Sequence, residues 1–126
     1  MKEHAMAIHK ILIVDDSPTE RYYLSDILAR NGYVVSTAES GEEALLRIRA
    51  EKPELILMDV VMPGANGFQV TRSIARDPDL QHVPVIICSS KNQETDRIWG
   101  LRQGAKDYLV KPVSAAELLS KIAALG

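Results

Sequence analysis

The sequence predicts a doubly wound α/β fold with a parallel sheet, and three observations predict it. Five short aliphatic runs alternate with five segments of helical spacing. Several of those runs are continuous in Val, Ile and Leu, the mark of a strand buried on both faces rather than one with a wet side. The chain has 126 residues, which suits one domain built around one sheet.

The strand candidates are KILIV (10–14), YVVSTA (33–38), ELILM (54–58), VPVIIC (83–88) and DYLV (107–110). Between the first two lies PTERYYLSDILARNG, where Leu24, Ile27 and Leu28 repeat at helical spacing. Ser17 or Asp16 can cap it, Pro18 suits its first position, and Asn31-Gly32 is a stop signal. SGEEALLRIRAEKP opens on Ser40 with Glu43 three residues on, the spacing of a capping box. GFQVTRSIARDP is expected to end before Pro78, and NQETDRIWGLRQG at Gly104. In that fourth helix Ile98 and Leu101 are expected to face the core. Trp99, about 100° round from Ile98, is expected at the edge or outside. SAAELLSKIAALG completes the set. Residues 1–9, MKEHAMAIH, carry no pattern and read as a leader or cloning remnant, leaving 10–125 as the domain.

Composition removes several functional classes. Apolar residues make up 46% and charged residues 25%, the profile of a soluble globular protein. A net charge of −2 without a basic block gives no nucleic-acid surface. No run approaches the ~18 apolar residues of a membrane span, and no signal peptide opens the chain, so no membrane insertion and a cytoplasmic setting are expected. The single cysteine, Cys88, has no internal disulfide partner and reads as a small buried hydrophobe.

In an open parallel sheet, ligands bind beyond the carboxyl ends of the strands. Asp15 and Asp16 follow the first run, Asp59 the third, Ser89 and Ser90 the fourth, and Lys111-Pro112 the fifth. Each residue alone has an ordinary explanation as a cap, a turn or a solvated charge. Three carboxylates, a hydroxyl and an amine leaving successive strand ends together do not. Adjacent acids closing an apolar strand repel each other unless a cation shares the site. Three carboxylates favour a hard divalent ion, Mg²⁺ with Mn²⁺ as an alternative. A carboxylate beside such an ion can attack a phosphoryl donor, and a hydroxyl and a lysine can then stabilise the charge on its oxygens.

VDD, MDVVMPGANG, IICSS and GAKDYLVKP, in that order, resemble the receiver domain of bacterial two-component response regulators, of the stand-alone CheY-like kind. The resemblance spans about residues 10–125 and implies strand order 2-1-3-4-5, the order of CheY itself. By position it implies that Asp59 is the phosphoacceptor. It makes Asp15 and Asp16 the acidic pair that holds the metal with Asp59 and the Val61 backbone carbonyl. Ser89 and Lys111 match the phosphate-stabilising residues, and Ser89 with Tyr108 the switch pair, Tyr108 turning inward on phosphorylation. Lys111-Pro112 matches a bond that is usually cis. Val61 and Lys91 hold the positions that tune hydrolysis. The output face would join the fourth helix, fifth strand and fifth helix, with Trp99 and Tyr108 on it. Ser90 departs from the small Ala or Gly usual at its position. SSKNQETDRIWGLRQGAKDYLVKP and DDSPTE look most like twitching-motility regulators of the type IV pilus, of the PilH and PilG kind.

What the resemblance implies is a monomeric, single-domain regulator. It would take its phosphoryl group from a CheA-like histidine kinase or phosphotransfer protein. It would then signal to a downstream protein or act as a phosphate sink. It would catalyse its own phosphorylation and dephosphorylation without turning over a separate substrate. Other readings fare worse. A haloacid-dehalogenase-type phosphatase needs a second acid two residues after its nucleophile, and Ser17 stands there after Asp15. A phosphohistidine carrier needs a histidine on a helix, and His4, His9 and His82 lie elsewhere. Dinucleotide binding needs a glycine-rich first loop, and DDSPT has none. The serious alternative is a receiver-like binding module that works without phosphorylation.

Overall fold

A computed structural model describes residues 8–126, so the leader expected over 1–9 lies, for residues 1–7, outside the described residues. Five strands, β1 (Lys10–Val14), β2 (Val34–Ala38), β3 (Leu55–Met58), β4 (Val85–Ser89) and β5 (Asp107–Val110), alternate with five helices. These are α1 (Pro18–Arg30), α2 (Gly41–Glu51), α3 (Gly67–Arg76), α4 (Glu94–Arg102) and α5 (Ala115–Leu125). The strands form one parallel sheet in the order β2-β1-β3-β4-β5, so the predicted fold and order are those observed.

Side chains alternate across the sheet, and the alternation sorts the core into two layers. Leu12, Val14, Ile56, Met58, Val85, Ile87 and Tyr108 face one way, against Ala44 and Ile48 of α2 and Val70 and Ile74 of α3. Ile11, Ile13, Leu55, Leu57, Ile86, Cys88 and Leu109 face the other way, against Leu24 and Leu28 of α1 and Leu118 and Ile122 of α5. Cys88 is buried, and desolvation pushes its thiol up to about 12, so it is an inert hydrophobe.

The helix signals act where the sequence places them. Ser17, Ser40 and Ser114 each accept a hydrogen bond from the backbone three residues on, and Pro18 opens α1. The Glu43 carboxylate accepts from the Glu39 N–H, one residue earlier than a strict capping box. At Gly32 (φ 90°) and Gly104 (φ 114°) the chain leaves α1 and α4 through left-handed turns that favour glycine.

One expectation fails, at α4. Ile98 and Leu101 do not face the core: both are exposed, and the residue that α4 buries is Gly100. A Cβ on Gly100 would lie 2.8 Å from Ile87 Cδ1 and 3.1 Å from Tyr108 Cδ2. The helix therefore lies flat on β4 and β5 through its glycine, which turns its larger apolar side chains outward. Trp99 is exposed as expected, and it lines a groove with α3.

Candidate functional site

β1 ends in a buried carboxylate, Asp15, followed by the exposed Asp16, and β3 runs directly into the buried Asp59. One carboxylate oxygen from each lies within 4.8 Å of the others. From the far side comes Lys111, just past β5. Its Nζ donates to Asp15 Oδ2 at 2.8 Å and to Asp59 Oδ1 at 3.2 Å. Four residues that leave three strand ends thus meet at one point, as the strand-end argument predicts. The cation that answers the repulsion between acids is, in the folded chain itself, Lys111.

Asp15 has further partners. Its Oδ1 accepts from the Ser17 N–H at 2.9 Å, and its backbone carbonyl accepts from Arg21 Nη1 at 2.8 Å. Arg21 is a residue that sequence reasoning missed. It sits six residues along, within α1, where no spacing rule marks a side chain that turns back to a loop carbonyl. Asp59 keeps its place through Gly67, the first residue of α3, whose N–H donates to the Val60 carbonyl at 2.9 Å.

Burial is the largest influence on Asp59 and, with the neighbouring Asp15 charge, pushes its pKa up; the Lys111 ammonium opposes this without cancelling it. Burial works against the charge on Lys111 too. Its hydrogen bond to Asp15 and the Asp59 charge outweigh that, and its pKa is raised. A lysine raised in the folded state stabilises the fold fully below its unfolded pKa, and that stabilisation is lost as pH rises through the folded value. A carboxylate raised in the folded state does the reverse: its ionised form costs stability, and the cost is relieved as pH falls through the folded pKa.

The donor set fits a hard divalent cation. All three ligands are carboxylates, Asp16 is exposed toward solvent, and their oxygens are close enough to share one ion. Lys111 and a bound cation then do overlapping work, which predicts a conditional effect. In EDTA, Lys111→Met should lower the unfolding free energy by about 2–4 kcal/mol, since Asp15 and Asp59 stay buried without a counter-charge. In saturating Mg²⁺ the deficit should shrink, because an ion that binds only the folded chain restores stability by linkage. Urea unfolding in both buffers checks this; equal deficits would mean the two cations do not substitute for each other.

The rest of the expected site is more dispersed. Ser89, the fully buried last residue of β4, accepts the Lys91 N–H at its Oγ (3.1 Å) and the Lys111 N–H at its carbonyl (2.8 Å). It therefore adjoins the acidic cluster through the main chain of Lys111. Tyr108 is buried and turned inward, and its hydroxyl donates to the Lys91 carbonyl at 2.8 Å. The Lys111-Pro112 bond is cis. Val61 and Lys91 are exposed, on the loops after β3 and β4, and Ser90 is exposed beside Ser89.

A parallel sheet of this order, with an acid cluster and a lysine at its carboxyl edge, is the arrangement of a receiver domain. Residues 11–123 match the family model of the response regulator receiver domain, and the chain belongs to that family. It is a response regulator of the CheY-like kind, and membership implies a histidine kinase or phosphotransfer partner. Receiver domains are not substrate-turnover enzymes in the ordinary sense. Among curated proteins the chain is 53% identical to protein PilH of Pseudomonas aeruginosa, over 92% of this chain and 96% of that one. It is 40% identical to the transcriptional regulatory protein AfsQ1 of Streptomyces coelicolor, over 91% of this chain but 50% of AfsQ1. Among solved structures, the chemotaxis protein CheY4 of Vibrio cholerae superposes with a TM-score of 0.87 at 30% identity, covering 95% of this chain and 100% of that one. No helix among the described residues is long and apolar enough to cross a membrane.

Proposed function

We propose that Asp59 is the phosphoacceptor of a Mg²⁺-dependent switch. The observation that carries this reading is Lys111 Nζ held between Asp15 and Asp59 at 2.8 and 3.2 Å, in a site where three carboxylates converge. An Asp59 oxygen forms the new O–P bond as the P–N bond to a donor phosphohistidine breaks; that ring, protonated on its other nitrogen, keeps the electron pair and leaves as a neutral imidazole. With acetyl phosphate, acetate leaves instead. Its place beside Lys111, where the three carboxylates converge, suits Asp59 to attack. Lys111 follows the transferred charge, and the hydroxyl of Ser89 offers a donor to its oxygens. Mg²⁺ would be held by Asp15, Asp16, Asp59 and the Val61 carbonyl, and would supply positive charge to offset that of the phosphoryl group. Mn²⁺ meets the same donor preference. Phosphorylation then biases Ser89 and Tyr108 between two states, and the chain signals through α4, β5 and α5 or drains phosphate.

Residues 10–125 are the working domain in this reading, cytoplasmic and monomeric. The donor is a CheA-like kinase or its phosphotransfer domain. Identity of 53% over nearly the full length of PilH supports a role in type IV pilus twitching or chemotaxis control. Labelling by acetyl phosphate with and without Mg²⁺ tests the core of the reading. Mg²⁺-dependent, acid-stable and hydroxylamine-labile label is expected; no label in either condition would leave a binding module that works without phosphate.

Lifetime gives a separate prediction. Val61 is 58% exposed and offers an attacking water no hydrogen bond, and Lys91 stands on the loop that Ser89 and Tyr108 both hold. Val61→Asn and Lys91→Glu should each speed dephosphorylation several-fold, the first by orienting water and the second by removing a cation. Decay of the labelled protein at the parent rate in both variants would remove these side chains from control of hydrolysis.

A further inference from the structure

The groove between α3 and α4 is lined by Arg72, Arg76 and Arg102 around Trp99, with a floor that includes Ala75 and Gly104. The Gly104 backbone comes close to the Ala75 side chain: a Cβ on Gly104 would lie 2.7 Å from the Cβ of Ala75. Arg21, Arg30, Arg47, Arg49 and Arg97 each pair with a carboxylate. Arg72, Arg76 and Arg102 form no ion pair among the described residues, although the chain as a whole carries net charge −2. Arg76 and Arg102 lie in last turns, where they complement the helix dipole. Arg72 has no such role, and at i,i+4 it repels Arg76. Trp99 is 48% exposed beside them.

We propose that this groove is a docking site for an acidic amphipathic helix of a protein partner. Arg72 and Arg76 stand one turn apart, with Cβ atoms about 6 Å from each other, the spacing of two carboxylates at i and i+4 on a facing helix. Arg102 closes on the acids from the opposite wall. Trp99 takes an apolar side chain of the incoming helix, and Trp and Arg are both enriched among the residues that anchor interfaces. Arginine suits this role better than lysine, because its planar fork pairs with a carboxylate through two hydrogen bonds. The Gly100 backbone beneath Trp99 rests on the Tyr108 ring, so the site is in contact with the residue expected to move on activation. The proposal does not depend on the chemistry at Asp59.

The test is a titration with a synthetic helical peptide carrying Glu at i and i+4 and Leu on the adjoining face. Binding is read by Trp99 emission and by anisotropy of a label on the peptide. Arg72→Glu/Arg76→Glu and Arg102→Glu should each weaken binding at least tenfold, and Arg30→Glu, on α1, should leave it unchanged. Arg72→Gln/Arg76→Gln is the milder pair if charge reversal disturbs folding, and it should weaken binding in the same direction. Three results would overturn the proposal. The peptide fails to bind or binds every variant equally; a single-stranded oligonucleotide of matched charge binds the groove more tightly; or the chain self-associates through these arginines, so that a second copy is the occupant.

Discussion

Asp59→Asn is expected to abolish acyl-phosphate formation, cutting incorporation from acetyl phosphate by at least about a hundredfold, because an amide of nearly the same shape is a poor nucleophile. The fold should survive, and in EDTA the variant should be the more stable protein. Burial and the Asp15 charge raise the pKa of Asp59, so its ionised form is disfavoured in the folded chain relative to the unfolded one. A neutral side chain escapes that cost. The gain should therefore be present near neutral pH and fade as pH falls through the folded pKa of the parent Asp59. Mg²⁺ should narrow the gap, since the parent gains more from the ion than a variant with one fewer carboxylate. Radiolabelling and paired urea titrations read the two halves separately. Undiminished labelling would move the phosphoacceptor elsewhere, whereas a variant less stable in EDTA would sink the electrostatic account alone.

The second large effect is steric. A Cβ on Gly67 would fall 1.9 Å from the Asp59 carbonyl oxygen, 2.8 Å from its carbonyl carbon and 2.9 Å from Val60 Cα. All three are backbone atoms, so no side-chain rotation relieves the clash. Gly67→Ala must open the loop between β3 and α3 that fixes Asp59, at a cost of about 3 kcal/mol or more. Gly32→Ala is the comparison, with φ 90° but nothing within 4 Å of its Cβ. It should cost only about 1–2 kcal/mol of backbone strain. Urea midpoints that rank the two variants the other way would show that the loop yields without strain. Because the clash bears on Asp59 itself, residual folded Gly67→Ala should also label poorly.

The parallel α/β architecture and the placing of Asp15, Asp16, Asp59 and Lys111 at strand ends were legible because continuous aliphatic runs report burial on two faces and each of these four residues follows such a run. The strand order was legible only through the resemblance to the receiver family. What was not legible shares a cause. Periodicity counts side chains, and α4 packs through the residue without one. Ile98 and Leu101 imitate a core stripe in sequence, yet Gly100 makes the contact. The Arg21 bond to the Asp15 carbonyl escaped for a related reason, since a loop carbonyl offers no residue type to read. The neutralising role of Lys111 was half visible. The motif places it at the site, but only the folded geometry shows one amine shared by two acids 96 and 52 residues away.

A helix anchored by a glycine also has little to lose by leaving. The other helices each bury at least two residues, among them Leu24 and Leu28 in α1, Ile48 in α2, Ile74 in α3, and Leu118 and Ile122 in α5. The one residue α4 buries, Gly100, brings no side chain to the core. α4 therefore buries the least side chain of the five helices, and its amides should exchange with solvent by local opening before global unfolding, which hydrogen exchange would read. A signal raised at the sheet edge would then have little side-chain burial to undo in shifting α4 over β4 and β5.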